Sequence, residues 1–225
     1  MKKLDLKFET NYLDNAEQSA LARGLYDFPI VDADCQYLHT PFKDIVKYLD
    51  EPYRTRLGYN TIIRGSSTPF IPPDIGDRTI GGRMKSYESF KRTNDTKPEG
   101  ERLPNEIYPL VKSSMKMAID YNIVFPTDML LLGLNPDPEV EIAIAYGCAR
   151  WMTEEILPSD DSMRTMLYLP FSSPEASLKL IQEFGDKKGV AGFLVTSIRY
   201  QPIYNNGYMP IYKSLFKKFI KSDKK

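Results

Sequence analysis

The sequence predicts an α/β protein built on a parallel sheet covered by helices. Three observations predict it. Four short apolar runs each stop at a carboxylate, a proline or a threonine. Each run is followed, near or far, by a stretch with helical periodicity. The runs are also apolar throughout rather than alternating, as in strands buried on both faces.

The first strand is expected at Phe28-Pro-Ile-Val-Asp-Ala-Asp34, with Asp32 and Asp34 at its carboxyl end. Pro41 opens a helix-periodic stretch with Phe42, Ile45, Val46 and Leu49 on one side and Asp44, Lys47 and Asp50 on the other. From Gly58 to Pro104 the pattern gives way to Gly, Pro, Ser, Thr and charge, which reads as a long loop-rich excursion. A helix follows from Asn105 to Asp120, with Pro109 in its first turn, where proline is tolerated. The second strand is Asn122 to Thr127, and a long helix runs from Pro138 to Ile156 through Trp151. Arg164 to Leu169 is the third strand, ended by Pro170. Ser173 then supplies an N-cap and Pro174 the first position of a helix to Phe184. Gly189 to Thr196 is the fourth strand and Met209 to Ile220 the last helix. A complete (β/α)₈ barrel takes about 250 residues. With the excursion removed, this chain has room for about four βα units, so the expected fold is an incomplete TIM barrel of parallel strands with a long inserted loop region at 58–104. Residues 1–27 form an N-terminal arm, and 28–225 the partial barrel.

Composition narrows the function. With 42% apolar residues the chain can bury a core. Thirty Lys and Arg balance thirty Asp and Glu, which removes any electrostatic case for nucleic acid or an anionic membrane as partner. No apolar stretch approaches a membrane span or a signal peptide. Two cysteines, Cys35 and Cys148, do not make a disulfide framework and read as packed thiols. A cytoplasmic protein acting on a small molecule, or on another protein chain, is the expectation. The chain has a single histidine, His39, so any metal or acid–base chemistry must rest mainly on other residues.

Candidate site residues follow from position, because α/β barrels carry chemistry at the carboxyl ends of their strands. Asp32 and Asp34 can bind a metal or act in catalysis; they can equally cap a loop or pair with an arginine such as Arg199. Thr127, Thr196 and Arg199 fall at or just after strand ends, and Arg199 can grip a carboxylate in a bidentate pair or form an ordinary salt bridge. His39, five residues past Asp34, reads as a loop histidine. Gly81-Gly-Arg83 lacks the flanking strand and helix of a phosphate loop.

Several stretches taken in order resemble one family. Asp32-Ala-Asp-Cys-Gln36, Pro41 and Tyr48-Leu-Asp-Glu-Pro-Tyr-Arg54 are similar to the opening of the amidohydrolase-related proteins grouped with aminocarboxymuconate-semialdehyde decarboxylase. Val124-Phe-Pro-Thr127, Tyr146-Gly-Cys-Ala-Arg-Trp151 and Gly192-Phe-Leu-Val-Thr196 with Arg199-Tyr200 resemble their middle. The resemblance implies a TIM barrel and a divalent metal, zinc or manganese, held in part by two residues at i and i+2 on the first strand. Asp34 and Gln36 match those positions. Glutamine stands where the family carries histidine and offers only a neutral carbonyl oxygen. The family's other ligands, on the fifth, sixth and eighth strands, would lie beyond Lys225. The resemblance therefore implies a metal-dependent hydrolase or non-oxidative decarboxylase of a small carboxylated compound, inactive until a complementing C-terminal half or a homo-oligomer completes it. The alternative is a non-catalytic remnant serving as a binding or assembly module.

Overall fold

The computed structural model describes residues 12–37, 42–64, 107–196 and 201–220. Four strands form one sheet: β1 (Val31–Tyr37), β2 (Tyr121–Pro126), β3 (Met163–Tyr168) and β4 (Val190–Leu194). Their order in the sheet is their order in the chain, and every neighbouring pair is parallel. Parallel neighbours need a crossover that returns the chain to the starting edge, and crossovers of this kind share one hand. A strand order that never reverses therefore sends successive crossover helices to the same face of the sheet. The result is an α/β fold consistent with part of an α/β barrel, as the apolar runs predicted.

The helices are α1 (Tyr12–Ala22), α2 (Phe42–Ile45), α3 (Tyr53–Arg64), α4 (Ile107–Lys116), α5 (Pro138–Trp151), α6 (Pro174–Phe184) and α7 (Met209–Ile220). Local chemistry explains their starts. The Asp137 carboxylate accepts from the Glu139 and Val140 amides ahead of Pro138, and the Ser173 hydroxyl accepts from the Ala176 amide ahead of Pro174. The α4 helix ends where the Ile119 amide reaches the Ser114 carbonyl at 2.9 Å, with Ala118 in the left-handed conformation at φ 58°.

Helix α5 is the centre of the core. Ile144, Ala145, Cys148 and Trp151 are buried on it against Ile45, Leu49, Met163 and Leu167, and the cluster continues to Leu180, Ile181 and Ile211 on α6 and α7. Each fully buried large apolar side chain contributes about 1.5–3 kcal/mol of transfer free energy. Close approach at one point depends on a missing side chain: a β-carbon on Gly147 would collide with Leu49 Cδ2.

The strands show which face is covered. On β3, Met163, Thr165 and Leu167 are buried, whereas Arg164 and Met166 between them are half-buried. Arg164 stacks over the Tyr121 ring at 4.7 Å and donates to the Asp161 and Met163 carbonyls, so its charge is satisfied without burial.

Three expectations need correction. The helical turn that opens at Phe42 is short, α2 passing into a 3₁₀ turn at Val46–Tyr48. Helix α3 extends from Tyr53 to Arg64, so the first residues of the supposed loop region, from Gly58, are helical; 65–106, including Gly81-Gly-Arg83, lie outside the described residues. The long helix expected to Ile156 is α-helical only to Trp151 and widens into a π-helix over Met152–Ile156. Among the described residues no helix is long and apolar enough to cross a membrane.

Candidate functional site

Parallel strands aim all their carboxyl ends at one rim. The register sets Gln36 beside Phe125, Tyr37 beside Pro126 and Tyr168 beside Leu194, so the ends of β1, β2, β3 and β4 follow one another along it.

Along β1 the pairing slips between Asp32 and Cys35, a bulge-like irregularity of the kind that re-aims side chains near functional sites. Asp34 is exposed, and its amide donates to Asp32 Oδ1 at 3.0 Å, an Asx turn within two residues. Cys35, the residue after Asp34, is buried, with its side chain in the core cluster. Burial pushes its thiol up to about 12, and the carboxylates of Asp32 and Asp34 add to the effect. The thiol is therefore protonated and unsuited to metal ligation or nucleophilic attack at neutral pH. Gln36 is fixed by main-chain pairing, and its side chain lies outside the described residues, as do His39 and Arg199.

Thr127 opens the 3₁₀ turn that leaves β2, and its Oγ1 is shielded from solvent without a hydrogen-bond partner. Such an atom is an open donor and acceptor at the rim. Thr196 lies two residues past β4 and is buried. Thr127 and Thr196 thus share the rim, whereas Asp34, expected at the carboxyl end of the first strand, lies midway along β1 because the strand runs on to Tyr37, and Asp32 stands near its start.

The most buried chemistry at this rim was not among the expected residues. Glu141, in the first turn of α5, is 2% exposed. Its carboxylate accepts from the Tyr168 hydroxyl at 2.6 Å, and the Ser172 hydroxyl and the Phe171 and Ser172 amides lie near enough to favour its ionised form. Burial raises its pKa, while those donors pull the other way. The sequence carried a signal: Glu141 precedes Ile144, Ala145 and Cys148 by three, four and seven residues, so a carboxylate stands on the apolar stripe of its helix. A charge there needs partners, and the residues after β3 provide them.

Among the described residues, no three His, Cys, Asp or Glu side chains converge in a way that could hold a metal ion. Among the described residues β1 offers an exposed carboxylate, Asp34, and a buried thiol, fewer than the three protein ligands usual for a catalytic metal, so further donors would have to come from elsewhere. A second concavity, of about 420 Å³, lies between the covering helices, lined by Asp50, Tyr53, Tyr146, Arg150 and Glu175 among others. Two charge pairs meet across its lining, Asp50 with Arg150 at 2.9 Å and Glu175 with Lys179 at 3.1 Å.

No protein-family model matches the chain, and no curated protein matches it.

Proposed function

We propose that the chain supplies the first four βα units of an amidohydrolase-like TIM barrel, a metal-dependent hydrolase or non-oxidative decarboxylase acting on a small carboxylated compound. The observation that carries this reading is the unreversed parallel order β1-β2-β3-β4 with Thr127 and Thr196 at its carboxyl rim. The motif resemblance and the position of the rim support the reaction class. In this reading Thr127 Oγ1 and Thr196 hydrogen-bond the substrate, Arg199 holds its carboxylate, and Asp34, exposed on β1, accepts a proton or a cation. Metal donors beyond Asp34 and Gln36 must come from outside the described residues, so no step is routed through an ion. Among those residues β1 and β4 each pair on one side only, which is where a complementing half or a second copy would add its strands.

The second reading, a non-catalytic binding or assembly module, is favoured by Gln36 in the family's histidine position and by the protonated Cys35 thiol. Calorimetric titration of zinc and manganese into the purified chain, with turnover assays on carboxylated amides and carboxylic acids, separates the two. The enzymatic reading expects weak binding and no turnover alone, binding lowered by Asp34→Ala, and binding raised by Gln36→His when a completing half is present. Metal binding indifferent to both substitutions would leave the module reading standing.

A further inference from the structure

The cavity between the covering helices is built on a helix that is apolar where a covering helix is ordinarily polar. From Ile142 to Ala149, α5 reads Ile-Ala-Ile-Ala-Tyr-Gly-Cys-Ala, two turns without a charged side chain. Ile144, Ala145, Cys148 and Ala149 are buried in the core. Ile142, Ala143 and Tyr146 lie on the other side of the helix, half-buried, and line the cavity. A helix that is apolar all round is one that is covered all round. The cavity follows α5 for about 16 Å, from Glu139 to Arg150, between the residues that lead into α3 and the first turns of α6.

Its lining combines aromatic rings with a surplus of negative charge. Tyr146 is held in place, its hydroxyl donating to the Ala176 carbonyl at 3.1 Å and its ring edge-on to Phe184, and Tyr53 stands on the α3 side. Four carboxylates, Asp50, Glu51, Glu139 and Glu175, share the lining with two cations, Arg150 and Lys179. Both cations are already paired, Arg150 with Asp50 and Lys179 with Glu175. Arg54, the partner of Glu51, stands outside the lining, and Glu139 makes no ion pair with any described residue.

We propose that this cavity binds a small organic cation, an ammonium or guanidinium group carried on an apolar body. Ile142 and Ala143 take the body, and the surplus carboxylates with the rings of Tyr53 and Tyr146 take the charge. The volume of about 420 Å³ is that of a small-molecule site. An anion would meet the surplus carboxylates, and a neutral compound would leave them uncompensated. The inference is independent of the reaction at the strand ends, which lie on the other side of the helix layer.

The test is a titration of the chain with phenethylammonium, 2-phenylethanol or 3-phenylpropionate at matched ionic strength, followed by calorimetry and by the NMR resonances of Tyr53, Ile142 and Tyr146. Phenethylammonium should shift all three saturably, bind at least about tenfold more tightly than the carboxylate, and weaken as salt is added. Glu139→Gln should lower the affinity for the ammonium about two- to fivefold, the scale of an exposed charge pair, and leave that for the alcohol unchanged. Ala143→Trp, which fills the cavity, should abolish binding. Equal affinity for the three compounds, or no saturable shift at these residues, would overturn the proposal. So would shifts that follow protein concentration rather than the amine, which would put a second copy of the chain in the groove. Should Ala143→Trp fail to fold, Glu139→Gln decides, and an unchanged ratio of ammonium to alcohol affinity would count against the site.

Discussion

β1 and the end of β3 treat carboxylates in opposite ways. On β1 Asp34 stands in solvent and Asp32 serves a local turn, accepting one amide two residues on. At the β3 end Glu141 is withdrawn from water and accepts from the Tyr168 hydroxyl at 2.6 Å. An exposed carboxylate is cheap to keep and cheap to lose, and remains available to a ligand. A buried one is tolerated only because its surroundings were built around it, so it belongs to the architecture. Negative charge near the sheet therefore does not by itself identify a reactive group; what surrounds the charge does.

The largest test of that contrast deletes both charges in turn. Glu141→Leu removes the carboxylate that accepts the Tyr168 hydroxyl in a buried site and should lower stability by about 3 kcal/mol. Asp34→Leu should be indistinguishable from wild type in chemical denaturation. A similar loss for the two variants would break the comparison. Tyr168→Phe is gentler, since the Phe171 and Ser172 donors stay near the carboxylate, and should cost about 1–3 kcal/mol in the same assay.

Much of the fold was readable in advance because its signals are local. Ser173-Pro174 marks the start of α6, and the apolar runs at 122–127 and 164–169 fall within a residue of β2 and β3. The first strand was placed three residues early, because Phe28-Pro-Ile is apolar yet Phe28 is exposed and pairing begins at Val31. Helix α3 escaped notice because Tyr53 to Arg64 mixes Arg, Thr and Gly with few apolar residues. At the site, the strand-end position of Thr127 and Thr196 could be read from where each run stops, but Asp34 was misplaced there because β1 runs on through Cys35 and Gln36 to Tyr37. The Glu141–Tyr168 pair could not be read, because it joins residues 27 positions apart across a crossover. Only the misplaced charge on the α5 stripe hinted at it.

A smaller effect sharpens the contrast through pH. Burial raises the Glu141 pKa above the value of an unfolded glutamate. The native state thus holds a proton over a range where the unfolded chain has lost it, so this group's contribution is most favourable below the ordinary glutamate value and declines as pH rises through the native pKa. Glu141→Gln removes that decline. The wild-type midpoint relative to Glu141→Gln should therefore fall as pH is raised from about 4 toward neutrality. A difference independent of pH, or one growing in the wild type's favour, would show that the donors around it outweigh burial.

The smallest expected effect concerns the thiol on β1. Cys35 is held at about 12, with burial the largest cause and the two neighbouring carboxylates secondary. Iodoacetamide at mildly alkaline pH should therefore leave it unmodified in the native chain, and Asp32→Asn with Asp34→Asn should change that little, because the larger cause remains. Cys148 is buried as well, so labelling at both positions should appear only when denaturant opens the core. The same shift predicts a loss of stability in strong alkali: above the ordinary thiol value of 9.0 the unfolded cysteine ionises while the native one does not, and the balance moves toward the unfolded chain as pH climbs toward 12. Rapid native labelling of Cys35 that disappears in the double asparagine variant would mean that the bulge beside it opens to solvent, with the carboxylates taking part in thiol chemistry. β1 would then be the reactive one of the two.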